Sequence, residues 1–180
     1  MAQDDLTPTR VLIIMGSARS DGNTACAVLH LAQQLGEEAT ACNLAKLAIG
    51  PFDYSRQDDR DDLRSVIRMM LVAEHIVFAT PVYWYAMSGK MKVFFDRLTD
   101  LLLDPDKRSL ARALAGWNVW LLATGTDECL PSGFHEPFAR TAAYFDMVWR
   151  KAFYCRSLQG ASLTRDSLSE AEKLASLLAL

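Results

Sequence analysis

The sequence predicts a three-layer α/β domain built on a five-stranded parallel sheet, and three observations predict it. Short apolar runs without polar alternation, at residues 10–16, 75–80 and 117–123, read as strands covered on both faces. Segments with apolar residues at helical spacing stand between them. The chain has 180 residues, enough for one domain with its own core. Right-handed crossovers then place helices on both faces of the sheet.

The elements follow in order. Residues 10–16 are a buried strand. Residues 24–35 are a helix with Cys26, Ala27, Leu29, Leu31, Ala32 and Leu35 as its apolar surface, ended by Gly36. Residues 38–44 form a weaker, alternating strand. Residues 50–62 carry Gly, Pro and a dense run of acids and arginines, and read as a loop. A short helix spans 62–71. The strand at 75–80 is ended by Pro81. Ser88 caps the next helix, 88–102, where Met91, Phe94, Phe95, Leu98, Leu101 and Leu102 recur. Asp104-Pro105 stops it. The strand at 117–123 gives way to Thr124-Gly125-Thr126. Residues 134–149 read as one long helix, 151–156 as the last strand and 167–178 as a closing helix. Residues 1–180 make a single domain, with 1–9 a flexible lead.

Apolar residues make up 51% of the chain and charged residues 23%, with a formal charge of -3, an ordinary globular mix. The pI of about 5.6 does not suit a nucleic-acid binder. No apolar run approaches the roughly 18 residues that span a bilayer. The first ten residues hold two aspartates and no apolar core, unlike a secretory signal. Cys26, Cys42, Cys129 and Cys155 lie far apart and share no C-x-x-C spacing. These features favour a reducing cytoplasm, with no nucleic-acid or membrane partner. Asp53, Asp58, Asp59, Asp61 and Asp62 lack a ligand spacing and read as a solvated face, so no metal is expected. His30 and His75 read as structural. His135, beside the fourth-strand edge, is a weaker substrate candidate.

Loops after strands one, three and four share the carboxyl edge of such a sheet, where α/β proteins bind ligands. The first is Gly16-Ser17-Ala18-Arg19-Ser20-Asp21-Gly22-Asn23-Thr24. Gly16 lets the backbone pass close to a ligand. Ser17, Ser20 and Thr24 offer hydroxyls, Asn23 an amide, and Arg19 a charged fork matched to phosphate oxygens. Helix-start amides add to this anion site. A plain turn and helix cap is the alternative. A P-loop would close on Gly-Lys-Ser/Thr, and here the chain reads Gly22-Asn23-Thr24. The dinucleotide pattern G-x-G-x-x-G is broken at Ser17-Ala18. A cysteine phosphatase would place its nucleophile in this loop, which has no cysteine. The loop suits holding a phosphate rather than transferring it.

The second loop runs Thr80-Pro81-Val82-Tyr83-Trp84-Tyr85-Ala86-Met87-Ser88-Gly89. Its adjacent aromatics suit a flat cofactor, or else core filling or a subunit contact. Thr124-Gly125-Thr126 offers small polar groups and one flexible position, which turn chemistry alone would also explain.

These stretches, the second continuing through Lys90-Met91-Lys92 to Phe95-Asp96-Arg97, resemble the NAD(P)H-dependent FMN reductase family with its flavodoxin-like fold. The resemblance covers most of the chain and is weakest beyond about residue 130. It implies strand order 2-1-3-4-5 and a non-covalent FMN. It implies phosphate contacts from Ser17, Arg19, Asn23 and Thr24. It further implies ring and ribityl contacts from Pro81, Val82, Tyr83 and Trp84, with Thr124 and Gly125 near the ring edge. NADPH or NADH is the implied co-substrate, and a quinone, flavin or azo compound the small-molecule acceptor. No side chain is a nucleophile in such a reaction; the flavin carries the chemistry. A homodimer is implied, with a homotetramer as the larger alternative and helix 88–102 at the boundary. No cysteine lies between Asn43 and Met87, so the iron–sulfur branch of the family does not fit. A flavodoxin-type electron carrier and a non-catalytic FMN-binding regulator are the alternative functions.

Overall fold

The computed structural model describes residues 9–55, 61–103, 107–158 and 162–180. The chain runs β1 (Val11–Met15), α1 (Asn23–Leu35), β2 (Ala39–Asn43), α2 (Leu63–Leu71), β3 (His75–Tyr83), β4 (Ala86–Met87), α3 (Gly89–Arg97) and α4 (Asp100–Leu103). It continues through α5 (Arg108–Ala113), β5 (Asn118–Gly125), α6 (Glu136–Tyr144), β6 (Val148–Arg156) and α7 (Arg165–Leu178). The sheet order is β2-β1-β3-β5-β6, all parallel, while the two-residue β4 pairs antiparallel with β3. With that hairpin strand set aside, this is the order 2-1-3-4-5.

Side-chain alternation along each strand explains the three layers. Leu12, Ile14, Ile76, Phe78, Val119 and Leu121 point to the face covered by α2, α3 and α6. Val11, Ile13, Val77, Ala79, Leu122 and Phe153 point to the face covered by α1 and α7. Both faces are apolar, so the central strands β1, β3 and β5 carry no polar alternation. Phe78 meets Phe95, Phe94 and Phe138 at centroid distances of 5.0, 6.2 and 6.0 Å. Burying each such ring contributes roughly 1.5–3 kcal/mol.

Several boundaries differ from expectation. β3 does not stop at Pro81 but runs to Tyr83. The Ala79 carbonyl accepts from Gly16 N at 2.8 Å, so residue 79 faces β1, and residue 81 faces the same side. β1 has ended by then, and no ladder bond is lost to the missing proline N–H. β5 likewise runs through Thr124 to Gly125.

The expected helix 134–149 is α6 followed by β6. Asp146 adopts φ +54 and reverses the chain. Asp146 N donates to Ala143 O at 3.2 Å and Met147 N to Ala142 O at 2.9 Å, a Schellman closure without glycine. Trp149 therefore sits in a strand. The expected helix 88–102 is divided into α3 and α4, where Leu98 N and Thr99 N tighten to i−3 bonds on Phe95 and Asp96. α5 and β4 were not expected.

Arg97 is buried and holds this corner. Its guanidinium meets Asp61, Asp100 at 2.8 Å and the Gly50 carbonyl at 3.1 Å. Asp61 is thus buried and paired, not part of a solvated face. Asp62 accepts from Ala48 N at 2.7 Å, and Asp53 from Ser55 N at 2.8 Å. Asp58, Asp59 and the Asp104-Pro105 stop lie outside the described residues, as does the expected flexible lead up to residue 8. Thr9 is buried, its hydroxyl 3.1 Å from Glu38 O. No helix among the described residues is long and apolar enough to cross a membrane.

Candidate functional site

The segments after β1, β3, β5 and β6 meet at one edge of the sheet around a cleft of about 220 Å³. Its first bank is the turn into α1. Gly16 closes β1, and a Cβ there would lie 2.7 Å from Met91 Cβ, so α3 packs directly on this backbone. Ser17 is buried, and its hydroxyl accepts from Arg19 N at 3.3 Å. Asn43 at the end of β2 donates to Ser20 Oγ at 3.2 Å and steadies the turn. Gly22 precedes α1 without a capping side chain, and Gly22, Asn23 and Thr24 line the cleft, so the positive end of α1 faces it. Arg19 stands at the mouth, largely exposed, 3.4 Å from Asp21.

The floor is a pair of buried hydroxyls. Thr24 Oγ1 and Thr124 Oγ1 lie 2.7 Å apart across 100 positions of chain. One proton joins the two oxygens, so the accepting hydroxyl keeps its own proton for a further acceptor.

The second bank is the end of β3. Pro81, Val82 and Tyr83 line the cleft and present apolar surface. Beyond them β3 and β4 form a two-residue hairpin, pairing Tyr83 with Ala86 and Val82 with Met87. Trp84 and Tyr85 make its tip at φ +49 and +63, and both project into solvent. Trp84 is 94% exposed and does not line the cleft.

The third bank is Thr124, Gly125 and Thr126, joined by Ser157 from the segment after β6. Gly125 O accepts from Ser157 N at 2.8 Å. A Cβ on Gly125 would lie 2.8 Å from Tyr154 Oη and 3.2 Å from Val82 Cβ, so a larger residue there would have to displace the Tyr154 hydroxyl and crowd Val82. The Tyr154 hydroxyl donates to Asp127 O at 3.1 Å. Burial, then the nearby Asp127 carboxylate, pushes its pKa up from the ordinary phenol value, which keeps the donor proton in place.

Ser17, Arg19, Asn23, Thr24, Pro81, Val82, Tyr83, Thr124 and Gly125, distant in sequence, therefore line one cleft, and Trp84 stands outside it. Ser157 was missed. Its available signal was position, since it directly follows a strand and so reaches the same edge. The histidines lie elsewhere: His30 against Glu172, His75 against Trp120, and His135 stacked on Trp149.

The lining fits a phosphorylated flat ring. Hydroxyl and amide donors with one guanidinium occupy one end, and apolar Pro81, Val82 and Tyr83 flank the other. No carboxylate is among the lining residues to oppose an anion. Such a sheet, with an anion-suited turn after its first strand and an apolar ledge after its third, defines a flavodoxin-like FMN-binding protein. The chain belongs to the NADPH-dependent FMN reductase family, which it matches over residues 9–127. It is accordingly an FMN-binding oxidoreductase of that family.

Among its relatives, YwqN of Bacillus subtilis (strain 168) is provisionally designated an NAD(P)H-dependent FMN-containing oxidoreductase. It is 32% identical over 124 residues, spanning 66% of this chain and 67% of YwqN. The Trp repressor binding protein from Bacillus subtilis superposes with a TM-score of 0.72 at 24% identity, over 91% of this chain and 96% of that one. The FMN-dependent NADH-azoreductase from Bacillus anthracis str. Ames Ancestor, in complex with FMN, gives a TM-score of 0.67 at 10% identity, over 94% and 99% of the two chains. These two likenesses establish the fold.

Proposed function

We propose that FMN lies in this cleft and that the protein passes reducing equivalents from NADPH or NADH to a small acceptor, such as a quinone, a free flavin or an azo compound. The observation that carries this reading is the gathering of the anion-suited turn and the apolar ledge into one cleft. Ser17, Arg19, Asn23, Thr24 and the positive end of α1 would hold the FMN phosphate. Pro81, Val82 and Tyr83 would flank the ring, with Thr124 and Gly125 beside its edge. Bound FMN supplies hydride acceptance and donation at its ring.

The chain's own residues bind and orient. Arg19 and the helix start neutralise the phosphate without a metal. Pro81 and Val82 exclude water from one side of the ring, and Tyr83, about half exposed, leaves the outer side open to a nicotinamide or an acceptor. The exposed Trp84 and Tyr85 beside the mouth favour a second copy docking there, as a homodimer or within a homotetramer. Four free cysteines accord with a reducing cytoplasm.

The absorption spectrum of freshly purified protein, followed by anaerobic mixing with NADH and then NADPH, tests the reading. A yellow protein that bleaches rapidly with one nucleotide is expected. Flavin that stays oxidised with both would reassign the protein to the electron carriers or regulators. Protein that takes up no FMN would overturn the seat itself.

A further inference from the structure

Ser88 does more than cap a helix. Its hydroxyl accepts from Met91 N at 3.1 Å, the ordinary N-cap bond of α3. The same hydroxyl donates to the Gly16 carbonyl. Its backbone amide donates to Thr80 Oγ1 at 3.1 Å. The single proton of Thr80 in turn has two carbonyls in reach, Pro81 O at 3.2 Å and Gly16 O at 3.5 Å. Ser88 and Thr80 are both fully buried. Gly16 directly precedes Ser17 on the first bank of the cleft, and Thr80 directly precedes Pro81 on the second. One small cluster of hydroxyls therefore ties the two banks at their roots.

A cap alone does not require this chemistry. An aspartate caps a helix as well as a serine does, but it has no proton for Gly16 O. The position needs a group that accepts on one side and donates on the other. Met91 Cβ, packed where a Gly16 Cβ would sit, leaves little slack for the banks to drift once the bonds are made.

We propose that Ser88, with Thr80, is a positioning residue that fixes the spacing between the phosphate bank and the ring bank. The proposal rests on the seat of FMN given above and names what holds that seat to length. A ligand that engages both banks gains from their fixed separation, because the second contact forms without further ordering. A ligand that engages one bank gains nothing from it.

Fluorescence titration with FMN and with riboflavin, which lacks the phosphate, tests this in the parent, Ser88→Ala, Thr80→Val and Thr80→Ser. Inorganic phosphate as a competitor of FMN uptake completes the set. Ser88→Ala is expected to weaken FMN roughly tenfold while riboflavin and inorganic phosphate keep the parent's constants. Thr80→Val, of nearly equal volume, repeats that pattern should the serine variant fold poorly, and Thr80→Ser restores the parent. If both variants keep the parent's ratio of FMN to riboflavin affinity, the positioning role is overturned. If inorganic phosphate weakens by the same factor as FMN, Ser88 shapes the phosphate bank alone, and the proposal is again overturned. A parent that does not prefer FMN over riboflavin overturns instead the phosphate seat, and the spacing role with it.

Discussion

Arg19, the proposed phosphate ligand, shows how little such a residue needs to contribute to the fold. Its side chain is 70% exposed, and Asp21, with which it pairs, is more exposed still. Such a surface pair contributes almost nothing to stability. Against a phosphate the same guanidinium makes a charge-assisted bond worth about 1.5–3 kcal/mol. Arg19→Ala is expected to weaken FMN retention roughly tenfold to hundredfold, read by equilibrium dialysis, while the apoprotein melts at the parent's temperature. Gly16 is the opposite case, a residue spent on packing. In Gly16→Ala the new methyl would meet Met91 Cβ at 2.7 Å and Met91 Cα at 3.0 Å. Backbone has to move, and thermal unfolding should show a loss of about 1–3 kcal/mol. Both positions stood out in the sequence, Arg19 as a candidate phosphate ligand and Gly16 for close passage of a ligand, whereas the neighbour that Gly16 admits in the fold is Met91 of α3. Ser157 was not legible in the same way, since a lone serine in a loop has many. The departure of Trp84 from the cleft was also hidden, because it depends on which side of a tight turn a side chain leaves.

Among the elements, the apolar strands could be read directly and their ends could not. Where a strand stops is set by its neighbours' lengths. Pro81 is tolerated because β1 has already finished on the side where its N–H is missing. The end of α6 escaped for a related reason. Asp146 takes the left-handed conformation that glycine usually supplies, so no punctuation marked the reversal. The β3–β4 hairpin carries a sharper version of the same effect. Its two-residue turn places Trp84 and Tyr85 at positive φ, where Asn-Gly is the favoured pair. A bulky residue in that region is strained by about 1–2 kcal/mol. The double variant Trp84→Asn, Tyr85→Gly is therefore expected to raise stability by about 1 kcal/mol, and a higher urea midpoint at unchanged slope is the measurement that checks it. A lower midpoint would mean that the aromatic tip makes contacts in the folded state that outweigh its backbone strain.

The molecule as a whole has a pH-sensitive foot, at the sheet edge opposite the cleft. Trp120 Nε1 donates to His75 Nδ1 at 3.2 Å, which requires the neutral imidazole. Burial first, and then the Arg10 charge, lowers the pKa of His75 below its ordinary 6.5, with Glu74 opposing. The unfolded ring takes up its proton near 6.5, whereas the folded ring does so only at lower pH. In that window the unfolded state binds more protons, so stability is complete above the window and declines as pH falls through it. Urea midpoints should drop between about pH 7 and pH 5.5, and His75→Phe should lose part of that slope while other titrating groups keep theirs. At the other end of the sheet, the cleft draws on positions as far apart as Ser17 and Ser157. A nascent chain has built no complete cradle until its last strand is threaded into place. On the seat proposed above, a chain cut short before β6 lacks the Ser157 side of the cradle, and it is expected to hold less flavin colour than the full chain however much of its sheet has already formed.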